Sequence, residues 1–430
     1  MVFVAIAIVV LIGFAALAID IGHLLIVRNE LKNAADAGAL AGAQVLYNNN
    51  GTAVNTFAND VALAAATANR SETSPVEVDL TADPPDIQRG HWSFTTGKFT
   101  ANETMLVPPA LWNVSTYYLD TNLDPTTIFI NAVRVQTRRE ATPAVSFFAR
   151  IFGFENFILR AESVAYRGFA GSILPGDVDQ PIAICRQSII DSDGNYTCGT
   201  GRMIDSGSGV THNTAAWTNF SQPCQTASVP TVRPLVCGEK DPEVMVTYGE
   251  GMGSTGGMQD TVYKDLRDCW LNDVHLLKDD RGYPMERWSL TLPVIDCPGN
   301  NVGPCSTVLG VVDLNFIWIK QANADPNWSD IPLQMNGWGA EGDALPVDDW
   351  HCSKGININS LDISQRQECW REFANWFNLR TADGTSVGDL TAAQIQKTMV
   401  FVPSCEYHEL AGNTGGINSG VLARNPVLVK

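Results

Sequence analysis

The first nineteen residues, Met1 to Ile19, carry no charge and no strongly polar side chain. As a helix rising 1.5 Å per residue they span about 28 Å, the thickness of a bilayer's hydrocarbon core. Asp20 interrupts this run, which then continues apolar from Ile21 to Val27 and ends at Arg28. A secretory signal would open on a positive segment and have a shorter apolar stretch. Here the chain starts directly as Met-Val-Phe-Val. Two explanations fit: a bare membrane anchor, or an N-terminus exposed by removal of a basic leader. Arg28 and Lys32 alone would draw the following segment into the cytoplasm, so a cleaved basic leader is the preferred expectation.

Residues 28–47 (RNELKNAADAGALAGAQVLY) contain no proline and have high helix propensity. Leu24, Leu31, Gly38 and Val45 repeat every seven residues, with Val27, Ala34 and Ala41 between them. The spacing predicts one helix over 1–47, greasy all round in its first half (1–27, a membrane or filament core) and amphipathic in its second. Ala34, Gly38 and Gly42 form a ridge of small residues that permits close backbone approach. Packing on the protein's own sheet is the expectation there, ahead of an inter-subunit role.

Helical spacing continues over 52–69, after which the texture turns to short β-rich runs broken by Pro, Gly and Asp. A hairpin is expected over 87–99, strands at 127–137 and 157–168, and a short helix at 144–152. The boundary-like stretch 170–181 separates an α+β region, 48–170, from a β-rich region, 171–430. The fold class expected is therefore α+β: a long N-terminal helix against a small antiparallel sheet, followed by a disulfide-rich β domain. Within the latter, 364–379 reads as a helix and 426–430 as a final edge strand.

All ten cysteines fall between Cys185 and Cys405, with no C-x-x-C among them. An even count without metal-type spacing predicts disulfides in an oxidising compartment, and the lack of C-x-x-C-H removes c-type haem. Cys297–Cys305 is the favoured pair, because the intervening PGNNVGP can return the chain. Cys185–Cys198, Cys224–Cys237, Cys352–Cys369 and Cys269–Cys405 follow from proximity and remainder. Net charge is −18, and no segment is basic enough for nucleic-acid binding.

Chemistry-bearing motifs are few. Asp191, Asp193 and Asn195 supply oxygens at positions one, three and five of a calcium-type loop, but Tyr196 and Arg202 replace its glycine and glutamate. A plain Asx-rich turn is favoured over weak calcium binding, and no other cofactor is expected. Gly251–Gly256 satisfies G-x-G-x-x-G, yet a flexible loop is a better reading than a dinucleotide site. Asp348, Asp349 and His351 cluster without the partners a hydrolytic or metal site would need. No catalytic constellation emerges.

The run FAALAIDIGHLLIVRNELKNAADAGALAGA (14–43) is similar to the N-terminal segment of TadG-like (TadE/G-type) proteins of tight-adherence, or Flp, pilus systems. GHWSFTTGKF (90–99) and NAVRVQTRREATPAVSFFARIFG (131–153) extend the resemblance, which is strong to about residue 170. It implies a bacterial cell-surface protein held by a pilin-like helix, inserted in the inner membrane and handled by pilus-assembly machinery. Position five is Ala5, where type IV pilins typically carry glutamate. The leading expectation is a structural, non-enzymatic filament subunit whose partners are copies of itself. The alternative is a membrane-anchored accessory protein or adhesin. For the filament, Gly13, Ala16 and Gly22 permit close approach, and Asp20 would pair with His23 or Arg28 of a neighbour. The competing role for Asp20 is to mark the membrane surface where the helix exits.

Overall fold

A computed structural model describes residues 2–48, 51–94, 96–107, 129–204, 215–238, 245–256, 260–298, 302–334, 351–353, 355–381, 385–417 and 419–430. The chain forms two compact units.

The first unit comprises the described residues up to Gly168 together with Arg424–Lys430. Helix α1 runs Val2–Gln44 as one unbroken element, as the absence of Pro and the apolar periodicity require. Helix α2 is Ala58–Thr67, shorter than the 52–69 expected. The missing turn is taken by local polar bonding: Asn48 Oδ1 accepts from the N–H of Thr52 and Ala53, and Tyr47 bridges Val54. Asn side chains compete for the backbone in this way and displace the helix start. Strands β1 (Arg70–Ser71) and β2 (Ser74–Pro75) make a small hairpin.

The main sheet contains β3 (Ile87–Ser93), β4 (Lys98–Ala101), β5 (Ala132–Val145) and β6 (Asn156–Tyr166). Its order is β4-β3-β5-β6, followed by the C-terminal strand Val427–Leu428, which pairs antiparallel with the end of β6. The final edge strand thus forms, but on the first unit's sheet rather than in the 171–430 region. The short helix expected at 144–152 reduces to one 3-10 turn, Ala149–Phe152, because Ala144 and Val145 stay paired with Phe157 and Asn156.

From Leu24 onward α1 lies on this sheet. Val27, Leu31 and Ala34 are fully buried with Val76, Ala144 and Ala161. Thr137 donates its hydroxyl to Leu31 O at 2.8 Å, and Lys32 Nζ reaches Glu162 O at 2.9 Å. The small-residue ridge packs inside the same unit. A Cβ on Gly38 would sit 2.9 Å from Ala62 O of α2, and one on Gly42 3.0 Å from Val133 Cγ1 of β5. Glycine is needed because α2 and β5 both press on that face.

The second unit spans Phe169–Ala423. Its strands are β7 (Ser172–Ile173), β8 (Ile182–Cys185), β9 (Arg202–Ile204), β10 (Ala215–Thr218), β11 (Val246–Thr247), β12 (Gly251–Gly256), β13 (Trp288–Ile295), β14 (Cys305–Ile319), β15 (Met399–Pro403), β16 (His408–Asn413) and β17 (Val421–Asn425). The principal sheet runs β12-β10-β8-β13-β14-β15-β9, and a further β12–β14 pairing closes its first five strands into a ring. Only the β8–β13 contact among these is parallel. Inside lie Ala183, Ala216, Met252, Ile295, Val308 and Val311, all buried. Closure removes sheet edges and encloses the core. The unit also contains helices α3 (Val229–Val232), α4 (Asp260–Asn272) and α5 (Ile363–Trp376).

All ten cysteines are paired, but only Cys352–Cys369 follows the expected connectivity. The favoured Cys297–Cys305 bridge does not form. In the β13–β14 hairpin, Ile295 pairs with Val308 and Asp296 N–H donates to Thr307 O. That register places Cys297 on the core face, fully buried, and Cys305 on the exposed face. An offset of one residue separates two side chains onto opposite faces of a hairpin. Cys297 instead meets Cys185, which leaves β8 beside β13, and Cys305 meets Cys224. Cys237 reaches Cys269 on α4. Cys198 joins Cys405, where Gly199 N–H bonds Pro403 O.

Gly251–Gly256, expected as a loop, is β12. Its glycines serve close approach: a Cβ on Gly251 would lie 2.8 Å from Cys224 Sγ.

Candidate functional site

The first nineteen residues and what holds their inner end form the most distinctive feature of the molecule. Between Phe3 and Ile19 every described side chain is exposed except Ala16, which is half-buried. Phe3, Leu11, Ile12 and Phe14 are each more than 60% exposed. A surface this apolar exceeds what a soluble monomer leaves to water. The helix that carries it is long and apolar enough to cross a membrane.

Asp20 interrupts that surface. Although it belongs to an otherwise apolar face, it is only 3% exposed. Its Oδ1 accepts from Phe147 N–H at 2.8 Å, and its Oδ2 accepts from Phe148 N–H at 3.0 Å and Ala149 N–H at 2.6 Å. These donors open the 3-10 turn Ala149–Phe152, at the tip between β5 and β6. A carboxylate fits there because the first N–H groups of a helical turn have no partners of their own. Two further groups fix the tip. Ser146 Oγ accepts from Arg150 N–H at 2.9 Å and donates to Phe154 O at 2.6 Å. Gly153, at φ +89°, ends the turn in the left-handed region that glycine enters freely.

One turn beyond Asp20, His23 Nε2 lies 2.6 Å from Glu72 Oε1, and its ring packs against Phe147 at 4.8 Å between centroids. Glu72 Oε2 in turn accepts from Arg139 Nη1 at 3.1 Å. Glu30 Oε2 accepts from the Ser71 hydroxyl and the Glu72 N–H. A second carboxylate holds the same hairpin lower down: Glu77 accepts from the N–H groups of Glu140, Ala141 and Thr142 and from the Thr142 hydroxyl. Burial pushes Glu77 up, but its hydrogen bonds outweigh that and leave it below the usual carboxylate range.

The sequence expectation placed Asp20 against His23 or Arg28 of a neighbouring copy. Asp20 and His23 are both engaged within their own unit. The signal that could have found the partner of Asp20 was the run Ser146–Gly153, which reads as an open helical turn. Arg28 is exposed, and a Cβ on Gly13 or Gly22 would meet nothing within 4 Å.

The other candidates resolve into local structure. Asp191 Oδ1 accepts from the N–H groups of Asp193 and Asn195 at 2.9 and 2.8 Å, an Asx turn. Among the described residues no group of three His, Cys, Asp or Glu side chains is arranged to hold a metal ion. Asp348 and Asp349 lie outside the described residues. His351 Nδ1 lies 2.5 Å from Glu372 Oε1 of α5, and that hydrogen bond raises the imidazole above its ordinary value.

Residues 1–45 match the Flp pilus-assembly TadE/G-like family, and residues 41–165 match the Tad-like Flp pilus-assembly family. The two matches overlap at 41–45 and together cover α1, α2 and the first unit's strands up to one residue before the end of β6. No curated protein and no solved structure matches the chain.

Proposed function

We propose that this chain, whose residues 1–45 match the TadE/G-like and residues 41–165 the Tad-like Flp pilus-assembly families, is a membrane-anchored component of a Tad-type pilus system. Helix 1–19 spans the bilayer, and the disulfide-bonded second unit stands on the oxidising side. The matched families are pilus-assembly families, and we assign the chain a structural rather than a catalytic role.

The observation that carries this reading is the internal capture of Asp20. Helices in lipid gain nothing from burying apolar surface against one another, so they associate through close packing and paired polar groups. With Asp20 committed to its own hairpin, residues 1–19 offer no polar group to a neighbour. Such a helix is well solvated by acyl chains and weakly disposed to leave them. Alkaline carbonate extraction tests the anchor. The full chain should stay with the membrane pellet, and lysines replacing Leu11 and Phe14 together should release it. Release of the unaltered chain would contradict the anchor.

The filament-subunit reading draws on Gly13 and Gly22, whose open faces permit helix contact between copies. It requires assembly by apolar packing alone, without the Asp20 pair.

A further inference from the structure

We propose that the β5–β6 tip is a membrane-seating collar: a rigid apolar platform that inserts into the headgroup boundary of the bilayer beside α1. The proposal rests on the anchor reading above and names a second contact with the same membrane.

The tip is unusually apolar for a hairpin end. Ile151 and Phe152 are 75% and 77% exposed, and Phe147, Phe154 and Ile158 are each more than half exposed. Turns at a water-facing tip ordinarily carry polar residues, and a contiguous apolar patch on a surface marks a partner. The tip is also built rather than loose. Asp20, Ser146 and Gly153 fix its backbone in the bonds described above, and the His23 ring supports Phe147.

Its position identifies the partner. Asp20 ties residues 147–149 to α1 at the point where the uninterrupted apolar stretch ends. If residues 1–19 fill the hydrocarbon core, the clamp fixes the tip at the membrane surface and nowhere else. Exposed Leu25 and Ile26 continue the apolar surface of α1 past Asp20. Exposed Arg150 stands on the same turn, where a cation meets lipid phosphates. Aromatic residues favour this boundary. The occupant is therefore a lipid surface, and the collar holds the first unit at a set angle to the membrane where a single helix would let it swing.

The test uses the full chain reconstituted in phosphatidylethanolamine–phosphatidylglycerol vesicles. An environment-sensitive fluorescent amino acid is incorporated singly at position 152, 12 or 44, and quenched by lipids labelled either near the headgroup or deep in the acyl chain. Gln44 is the reference, since it lies 24 residues along α1 from Asp20, about 36 Å beyond the membrane surface. Position 12 should lose fluorescence to the deep label, position 152 to the shallow label, and position 44 to neither. Quenching at 12 without quenching at 152 would overturn the collar and leave the anchor standing. Quenching at neither would overturn both. Adding Asp20→Ala to the position-152 probe should weaken its shallow quenching while leaving position 12 unchanged. Unchanged quenching at 152 in that variant would overturn the role of the clamp.

Discussion

Replacing Gly38 and Gly42 together by alanine separates a packed helix from a free one by the sign of the effect. In an unpacked helix each Gly→Ala change stabilises by about 1 kcal/mol, because alanine restricts the unfolded chain and favours the helix. The double variant would then gain about 2 kcal/mol. Here the new methyl groups meet fixed neighbours. At Gly38 the Cβ falls 2.9 Å from Ala62 O and 2.9 Å from Ala66 Cβ; at Gly42 it falls 2.9 Å from Ala62 Cβ and 3.1 Å from Ala58 O. Most of these atoms are backbone or Cβ, which cannot swing aside, so α2 must move as a body. Overpacking of this kind costs about 1–3 kcal/mol per site. Set against the propensity gain, the double variant should be destabilised by up to about 4 kcal/mol. Hydrogen exchange across residues 58–67 reads the effect locally: α2 amides should exchange faster in the variant. Gly13→Ala and Gly22→Ala, with nothing within 4 Å, should leave those amides unchanged. Slower exchange of α2 in the double variant would refute the packing of α1 on α2.

Three further outcomes follow from particular contacts. Asp20→Ala should speed hydrogen exchange at the amides of residues 147–149 and sensitise the tip to proteolysis, while α2 and the second unit keep their protection. Peptide mapping without reduction should recover Cys185–Cys297 and Cys224–Cys305 as linked peptides and no Cys297–Cys305 link, with free thiols absent. His408 Nδ1 lies 2.9 Å from Asp313 Oδ2, and that hydrogen bond raises the imidazole above its ordinary 6.5. A group raised on folding contributes stability that is fully present below its unfolded value and lost as pH rises through the folded one. Thermal stability of the second unit should accordingly fall as pH is raised from about 6.5, and His408→Gln should flatten that slope; a slope unaltered by the substitution would remove His408 as its cause.

The parts of the molecule legible in the sequence are those governed by local periodicity. Helix α1 follows from uninterrupted helix propensity, and the role of Gly38 and Gly42 from their spacing on its buried face. The 87–99 hairpin and the long strands follow from alternation. What the sequence concealed depends on register between distant strands. Cys297 and Cys305 are close in the chain, yet one residue of offset in β13–β14 places them on opposite faces, and β8, more than a hundred residues earlier, supplies the partner for Cys297. Asp20 is a related case. A buried carboxylate calls for donors, and the charged residues nearby, His23 and Arg28, drew the assignment. The donors within the chain are backbone N–H groups 127–129 residues away, signalled only by the open turn at 146–153.

An apolar end of α1 solvated by lipid partitions differently from one solvated by copies of itself. Shearing cells mechanically and measuring how the chain distributes between released filaments and the sedimented membranes distinguishes the two directly. A lipid-solvated anchor should be found in the membrane fraction, with at most a trace in sheared filaments and no regular helical array of it there by electron microscopy. Recovery of most of the chain as a repeating component of sheared filaments would contradict the anchor.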